Sequence, residues 1–179
     1  QPDPLRVITI LRASEMRDHA GEVGFPGGKI EHSDAGYQQA ALRETEEELG
    51  IESSELEVLG ALRPVPVVTG RYLIYPFVSW AEGFSRPLRP CSEIARLMEL
   101  PLADYLTGDL RTVLVQGRWR GEAAEMRHFE LDGCVLYGAS AAMLFDLLQR
   151  IATSLGHEMP ASRPGSSAPW GSRYDHHLG

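Results

Sequence analysis

Residues 21–51 read GEVGFPGGKIEHSDAGYQQAALRETEEELGI, and no other stretch restricts the fold as much. Pro26-Gly27-Gly28 marks a tight turn where the main chain passes close to another group. Beyond it, Ala41, Leu42, Thr45 and Leu49 recur at helical spacing. Ser33 or Asp34 is expected to cap that helix at its start, and Gly50 to end it in the left-handed conformation. The helix is electrostatically unfavourable. Glu44, Glu46, Glu47 and Glu48 place four carboxylates in five positions. Each like-charged i,i+4 pair costs about 0.2–0.5 kcal/mol, and the helix dipole disfavours negative charge near a C-terminus. A local rule broken this strongly marks a site whose repulsion something else relieves. A divalent cation is the simplest candidate.

Glu44, Glu47 and Glu48 stand at i, i+3 and i+4 and so share one helix face. Hard carboxylate oxygens in this pattern suit Mg²⁺ or Mn²⁺. Gly28, or Gly27 beside it, is placed to add a backbone carbonyl. Arg43 is expected to pair with Glu47 one turn on, whereas Glu46 points elsewhere and is expected to be solvated. The same run also fits a plain solvated acidic face. The glycine turn beside it favours a metal site and phosphoryl chemistry.

Along the rest of the chain, residues 5–11 and 22–25 read as strands, and residues 12–20 as a loop. Residues 56–62 and 72–80 read as two more strands, separated by a proline-rich loop or interrupted edge strand over 63–71. A strand is expected at 94–99, a helical turn at 102–106, and a hairpin of 113–119 with 126–131 around Gly121-Glu122. Residues 140–155 form the best amphipathic helix, with Met143, Leu144, Leu147, Leu148 and Ile151 as its stripe. Pro, Ser, Gly and His dominate from Gly156 on. The expected organisation is therefore one domain over 1–156 and a flexible tail over 157–179. The fold class is α/β with a mixed sheet.

Composition narrows the function. Net charge is −8, which argues against nucleic acid as a partner, because that binding runs on phosphate neutralisation. Two cysteines, Cys91 and Cys134, fit reduced thiols in a cytoplasmic protein rather than a disulfide framework. No run approaches the roughly 20 apolar residues of a membrane span. Oligomeric state is open, a homodimer included.

The stretch resembles the signature of the Nudix hydrolase superfamily. Gly28 takes the signature's first glycine, and Arg43-Glu44, Glu47-Glu48, Gly50 and Ile51 fill its second half. Asp34 stands where the pattern has a glutamate, one extra residue precedes Arg43, and Thr45 replaces an aliphatic residue. The lead-in adds Arg12, Ala13, Ser14, Met16, Arg17, His19, Gly21, Glu22 and Phe25-Pro26-Gly27-Gly28. This is similar to the further signature of the subfamily that hydrolyses coenzyme A, with Ala13 and Met16 as departures. Together the two signatures cover residues 9–51. Tyr75-Pro76-Phe77-Val78, Leu100-Pro101-Leu102 and Leu136-Tyr137-Gly138 agree more weakly.

The resemblance implies a Nudix fold, an α/β/α sandwich with a mixed β-sheet. It implies Mg²⁺- or Mn²⁺-dependent hydrolysis of the diphosphate of coenzyme A, or of its acyl or oxidised forms, to 3′,5′-ADP and 4′-phosphopantetheine. Glu44 and Glu48 carry over as principal metal ligands, and Glu47 as a further ligand or the group that activates water. Glu93, Glu122 and Glu125 are alternative bases. Arg12, Arg17, Lys29 and Arg71 are candidate phosphate contacts, each also readable as a solvated surface cation. His19 is a candidate substrate contact or loop-orienting residue, and Phe25 packs in the core or against the ligand. Trp80 and Trp119 are expected in the core, and His176-His177 in the tail. Other readings are a Nudix hydrolase for another nucleoside diphosphate derivative, such as ADP-ribose, and a non-catalytic nucleotide-binding module.

Overall fold

A computed structural model describes residues 5–67, 71–84, 87–119 and 122–168, with the side chains of residues 118 and 119 excepted. These residues fall into two compact units. One is drawn from Ile8–Pro64 and Tyr75–Met98, and the other from Gln1–Val7, Val65–Ile74 and Glu99–Gly179.

The first unit carries the acidic helix. Strand β1 (Arg6–Arg12) pairs antiparallel with β2 (Val23–Gly24), Ile10 facing Gly24 and Leu11 facing Val23. In the sheet order β2-β1-β7, the third strand begins at Ile94 and runs to Pro101. Thr9, buried on β1, donates its hydroxyl to the Met98 carbonyl at 3.2 Å. Helix α1 spans Tyr37–Leu49. Its Leu49 joins Ile10, Ile51 and Ile94 in a core flanked by Ile8, Leu56 and Leu97. Strand β3 (Glu57–Ala61) pairs with β6 (Phe77–Trp80) through a bulge between Val58 and Gly60.

The C-terminus of α1 is closed as the sequence suggests. Gly50 has φ 69° and donates its N–H to the Glu46 carbonyl at 2.8 Å. The next carbonyls would be orphans at a helix end. Arg89 N–H reaches Leu49 O at 3.0 Å, and Cys91 N–H reaches Glu48 O at 2.9 Å. The start of α1 differs from expectation, because neither Ser33 nor Asp34 caps it. Gly36 is the cap residue, and the Gln39 side chain accepts from the Ala35 N–H instead. Asp34 has another partner, described below.

In the second unit, β4 (Val65–Pro66) pairs with β5 (Leu73–Ile74). The hairpin forms as expected, with β8 at Val113–Trp119 and β9 at Glu122–Leu131. Strand β10 (Cys134–Leu136) pairs with β9, and β11 (Arg163–Pro164) runs parallel to β8, so the sheet is mixed. Helix α2 spans Leu102–Thr107, and α3 spans Gly138–Ser154. In α3, Ala141, Met143, Leu144, Leu148 and Ala152 are buried, whereas Leu147 and Ile151 are half-buried.

Three other expectations change. The run over 72–80 splits into β5 and β6, because Pro76 has no N–H to continue a ladder. The described part of the tail is tied down. The β8 edge offers free backbone groups, and Arg163 N–H reaches Thr112 O at 2.9 Å while Gly165 N–H reaches Leu114 O at 2.8 Å. Trp80 is exposed at the end of β6, opposite Glu57, rather than in the core. The Trp119 side chain, Gly70, Gly121 and His176-His177 lie outside the described residues. Among the described residues no helix is long and apolar enough to cross a membrane.

Leu148 is fully buried on α3. Leu148→Ala should cost about 2–5 kcal/mol of stability by leaving a cavity. Urea unfolding followed by circular dichroism checks this, and an unchanged midpoint would contradict the packing described.

Candidate active site

One guanidinium gathers the glycine turn, the following loop and the acidic helix. Arg43 Nε donates to Asp34 Oδ1 and Nη2 to Asp34 Oδ2, both at 3.1 Å. Nη2 also donates to the Lys29 carbonyl at 3.1 Å. Nη1 donates to Glu44 Oε1 at 3.1 Å and to Glu47 Oε2 at 3.2 Å. A planar fork with five N–H groups is suited to such shared work, and a lysine is not. The Asp34 side chain is only 2% exposed, and it also accepts the Glu31 N–H at 2.8 Å. Asp34 is therefore a positioning residue for Arg43. The Arg43 hydrogen bonds, then the Glu31 N–H, hold its carboxyl below the usual range. Asp34 in turn contributes most to raising the Arg43 pKa further above its already high ordinary value.

The third carboxylate is held differently. Glu48 is 6% exposed, and its Oε2 accepts the Gly27 N–H at 2.9 Å. Arg12 stands 3.7 Å from its Oε1 and also reaches Glu93 Oε2 at 3.4 Å. Burial raises the Glu48 pKa, outweighing the Gly27 hydrogen bond and the Arg12 charge. Buried Arg12 Nε meets no hydrogen-bond partner among the described residues. The lead-in segment is thus bonded directly to the acidic face.

Gly28 lies against Glu44. A Cβ there would fall on the Glu44 carboxylate, so only glycine leaves that space to the acid. Glu44 and Glu47 turn onto Arg43, and Glu48 onto Gly27 and Arg12. In this arrangement no three His, Cys, Asp or Glu side chains among the described residues stand together at metal-holding spacing. The donor chemistry nonetheless fits a hard divalent cation, with three carboxylates on one face and glycine backbone beside one of them.

The remaining sequence candidates divide. Arg17 and Lys29 are exposed, Lys29 directly after the turn, and Glu46 is solvated as expected. His19 is exposed in a left-handed conformation, φ 58°, with Nδ1 2.9 Å from Glu22 Oε2. Phe25 is half-buried. Glu93 belongs to this unit, whereas Arg71, Glu122 and Glu125 belong to the other. Sequence reasoning missed the role of Asp34, the Arg12–Glu48–Glu93 contacts and an exposed stacked pair, Tyr37 and Tyr75, with centroids 4.1 Å apart. Only the lead-in pattern carried any signal for Arg12.

A Nudix domain model matches residues 4–120. The chain is 32% identical over 152 residues to an uncharacterized Nudix hydrolase, NudL, of Photorhabdus laumondii, covering 84% of this chain and 79% of that protein. It is 42% identical over 110 residues to a NudL of Escherichia coli O1:K1, covering 59% of this chain and 54%, about half, of that protein. A solved MutT/nudix family protein from Enterococcus faecalis shares the fold at TM-score 0.52 and 18% identity, over 87% of this chain and 58% of that one.

Two outcomes follow from the electrostatics. The stability Asp34 contributes is present above the ordinary carboxylate range and is lost as pH falls through its lowered folded pKa. Glu48 has the opposite sign, because its raised pKa makes the folded state prefer the protonated acid. Metal-free Glu48→Gln should therefore melt no lower than the parent chain near neutral pH. The difference should vanish as the solution is acidified through the carboxylate range. Melting curves across pH check this, and a clear loss of stability at neutral pH would contradict it. Gly28→Ala should leave the fold nearly as stable, since the Glu44 side chain can swing away, but weaken Mn²⁺ binding measured by calorimetry.

Proposed function

The chain belongs to the Nudix hydrolase family, and we propose that it hydrolyses the diphosphate of coenzyme A or of an acyl or oxidised derivative. Water adds to one phosphorus, the P–O–P bridge breaks, and the products are 3′,5′-ADP and 4′-phosphopantetheine. The observation that carries this reading is the bonding of the lead-in to the acidic face. Gly27 and Arg12, both within the coenzyme-A-like signature, hold Glu48.

Glu44 and Glu48, with Glu47 and the Gly28 carbonyl, would hold Mg²⁺ or Mn²⁺. The cation supplies charge neutralisation for the diphosphate and makes a nearby water more acidic. The chain's own groups do the rest. Glu47 is the most exposed of the three acids, its side chain 58% exposed, and Arg43 orients it. That makes it the first choice for removing a proton from the attacking water. Glu93, bonded to Arg12 in the same unit, is the alternative. Exposed Arg17 and Lys29 offer positive charge to the 3′-phosphate that distinguishes coenzyme A from ADP-ribose. His19, paired with Glu22, holds the loop that carries Arg17. Phe25 is half-buried, and its place in the signature suits packing beneath the turn. Cys91 and Cys134, neither of them in a disulfide, fit a reducing, cytoplasmic setting.

The test is a direct comparison of coenzyme A and ADP-ribose with Mg²⁺ and Mn²⁺, with products resolved by chromatography. Coenzyme A should be cleaved to the two stated products, and Glu44→Gln or Glu48→Gln should abolish turnover by orders of magnitude. Turnover of ADP-ribose without coenzyme A would overturn the substrate. Coenzyme A binding without any metal-dependent cleavage would overturn catalysis.

A further inference from the structure

The second unit contains a cleft of about 380 Å³ between β9, α3 and the segment that leads into β11. Its residues lie at 127–162, beyond the stretch that the family model matches. Its volume falls within the roughly 300–1,000 Å³ of small-molecule sites.

Arg127 is the informative group. Its guanidinium lies 3.7 Å over the Phe145 ring centroid, and its Nε donates to Ser162 Oγ at 3.2 Å. Ser162 Oγ is in turn 2.6 Å from Thr112 Oγ1, so both the plane and the edge of the fork are fixed. Among the described residues no carboxylate forms an ion pair with Arg127; Glu125, two positions back along β9, acts on it only as a more distant charge, and burial outweighs that charge and lowers the Arg127 pKa. A half-buried guanidinium is normally matched by an acid. Here its hydrogen-bond partner among the described residues is the neutral hydroxyl of Ser162. Gln149, Thr153, His157 and the acidic Glu158 line the same cleft, all four of them exposed. Met159 and Pro160 add an apolar wall beside Phe145.

We propose that this cleft is a second binding site, for a small organic phosphate monoester. Arg127 and the neighbouring donors take the phosphate oxygens, and the apolar wall takes the organic group. Donors drawn from three segments suit three terminal oxygens better than the two of a carboxylate. The site stands apart from the diphosphatase reading and does not depend on it.

Phenyl phosphate is the probe, titrated by calorimetry into the full chain with EDTA present to keep divalent metal from the acidic helix. One saturable site is expected, weakened about tenfold or more by Arg127→Met, which keeps a side chain on Phe145. Arg150→Met, which removes an exposed arginine paired with Asp146 on α3, should bind as the parent chain does. Inorganic phosphate should bind more weakly, having no group for the apolar wall, and benzoate should bind more weakly than phenyl phosphate. No saturable binding, equal binding by Arg127→Met, equal loss in Arg150→Met, or tighter binding of benzoate would each overturn the proposal. If Arg127→Met does not fold, Gln149→Leu and Thr153→Val replace it at exposed positions. Weakened binding in them supports the site, and unchanged binding in both overturns it.

Discussion

Arg43 makes the acidic helix possible. A helix with four glutamates in its last turns carries repulsion that neither propensity nor the dipole relieves. The guanidinium answers two of them directly, Glu44 and Glu47, and through the Lys29 carbonyl and Asp34 it binds the helix to the loop that precedes it. Each of these charge-assisted hydrogen bonds is stronger in a partly buried setting than it would be in water. Asp34 secures the arrangement from the other side, because its side chain is buried and commits both oxygens to Arg43. The geometry of the candidate metal face therefore depends on a group that need not itself touch metal or substrate.

Glu48 shows what that face costs in stability. It is buried beside the core residue Leu49, and among the described residues its charge is compensated by one backbone N–H and a more distant arginine. An apolar residue there would suit the core better. Retaining an acid at a buried position, against local stability, is the pattern expected of a functional site. The same compensation couples the two halves of the site, since Gly27 and Arg12 come from the lead-in and Glu48 from the helix.

Much of this was readable from residue order, and the rest was not, for physical reasons. Spacing alone placed Glu44, Glu47 and Glu48 on one face, Gly50 at the helix end, and the 113–119 strand in a hairpin. Asp34 looked like a helix cap because caps and buried ion-pair partners draw on the same residue types. Only the position of Arg43 in space separates the two roles. Arg12 reaches Glu93 across 81 positions of sequence, a pairing no local pattern encodes. The segment holding β11 has a coil-like composition, yet the open edge of β8 orders it. Pro76 is plain in the residue order, and its missing N–H outweighs the apolar run around it.

The most direct test of the metal face is a crystal structure of the chain soaked with Mn²⁺ and read by anomalous scattering. The expected result is a peak bounded by the Glu44, Glu47 and Glu48 carboxylates and the Gly28 carbonyl, with Arg43 still holding Asp34. A peak held by other residues, or none in crystals of protein that cleaves its substrate with Mn²⁺, would contradict the assignment of this helix as the catalytic metal site.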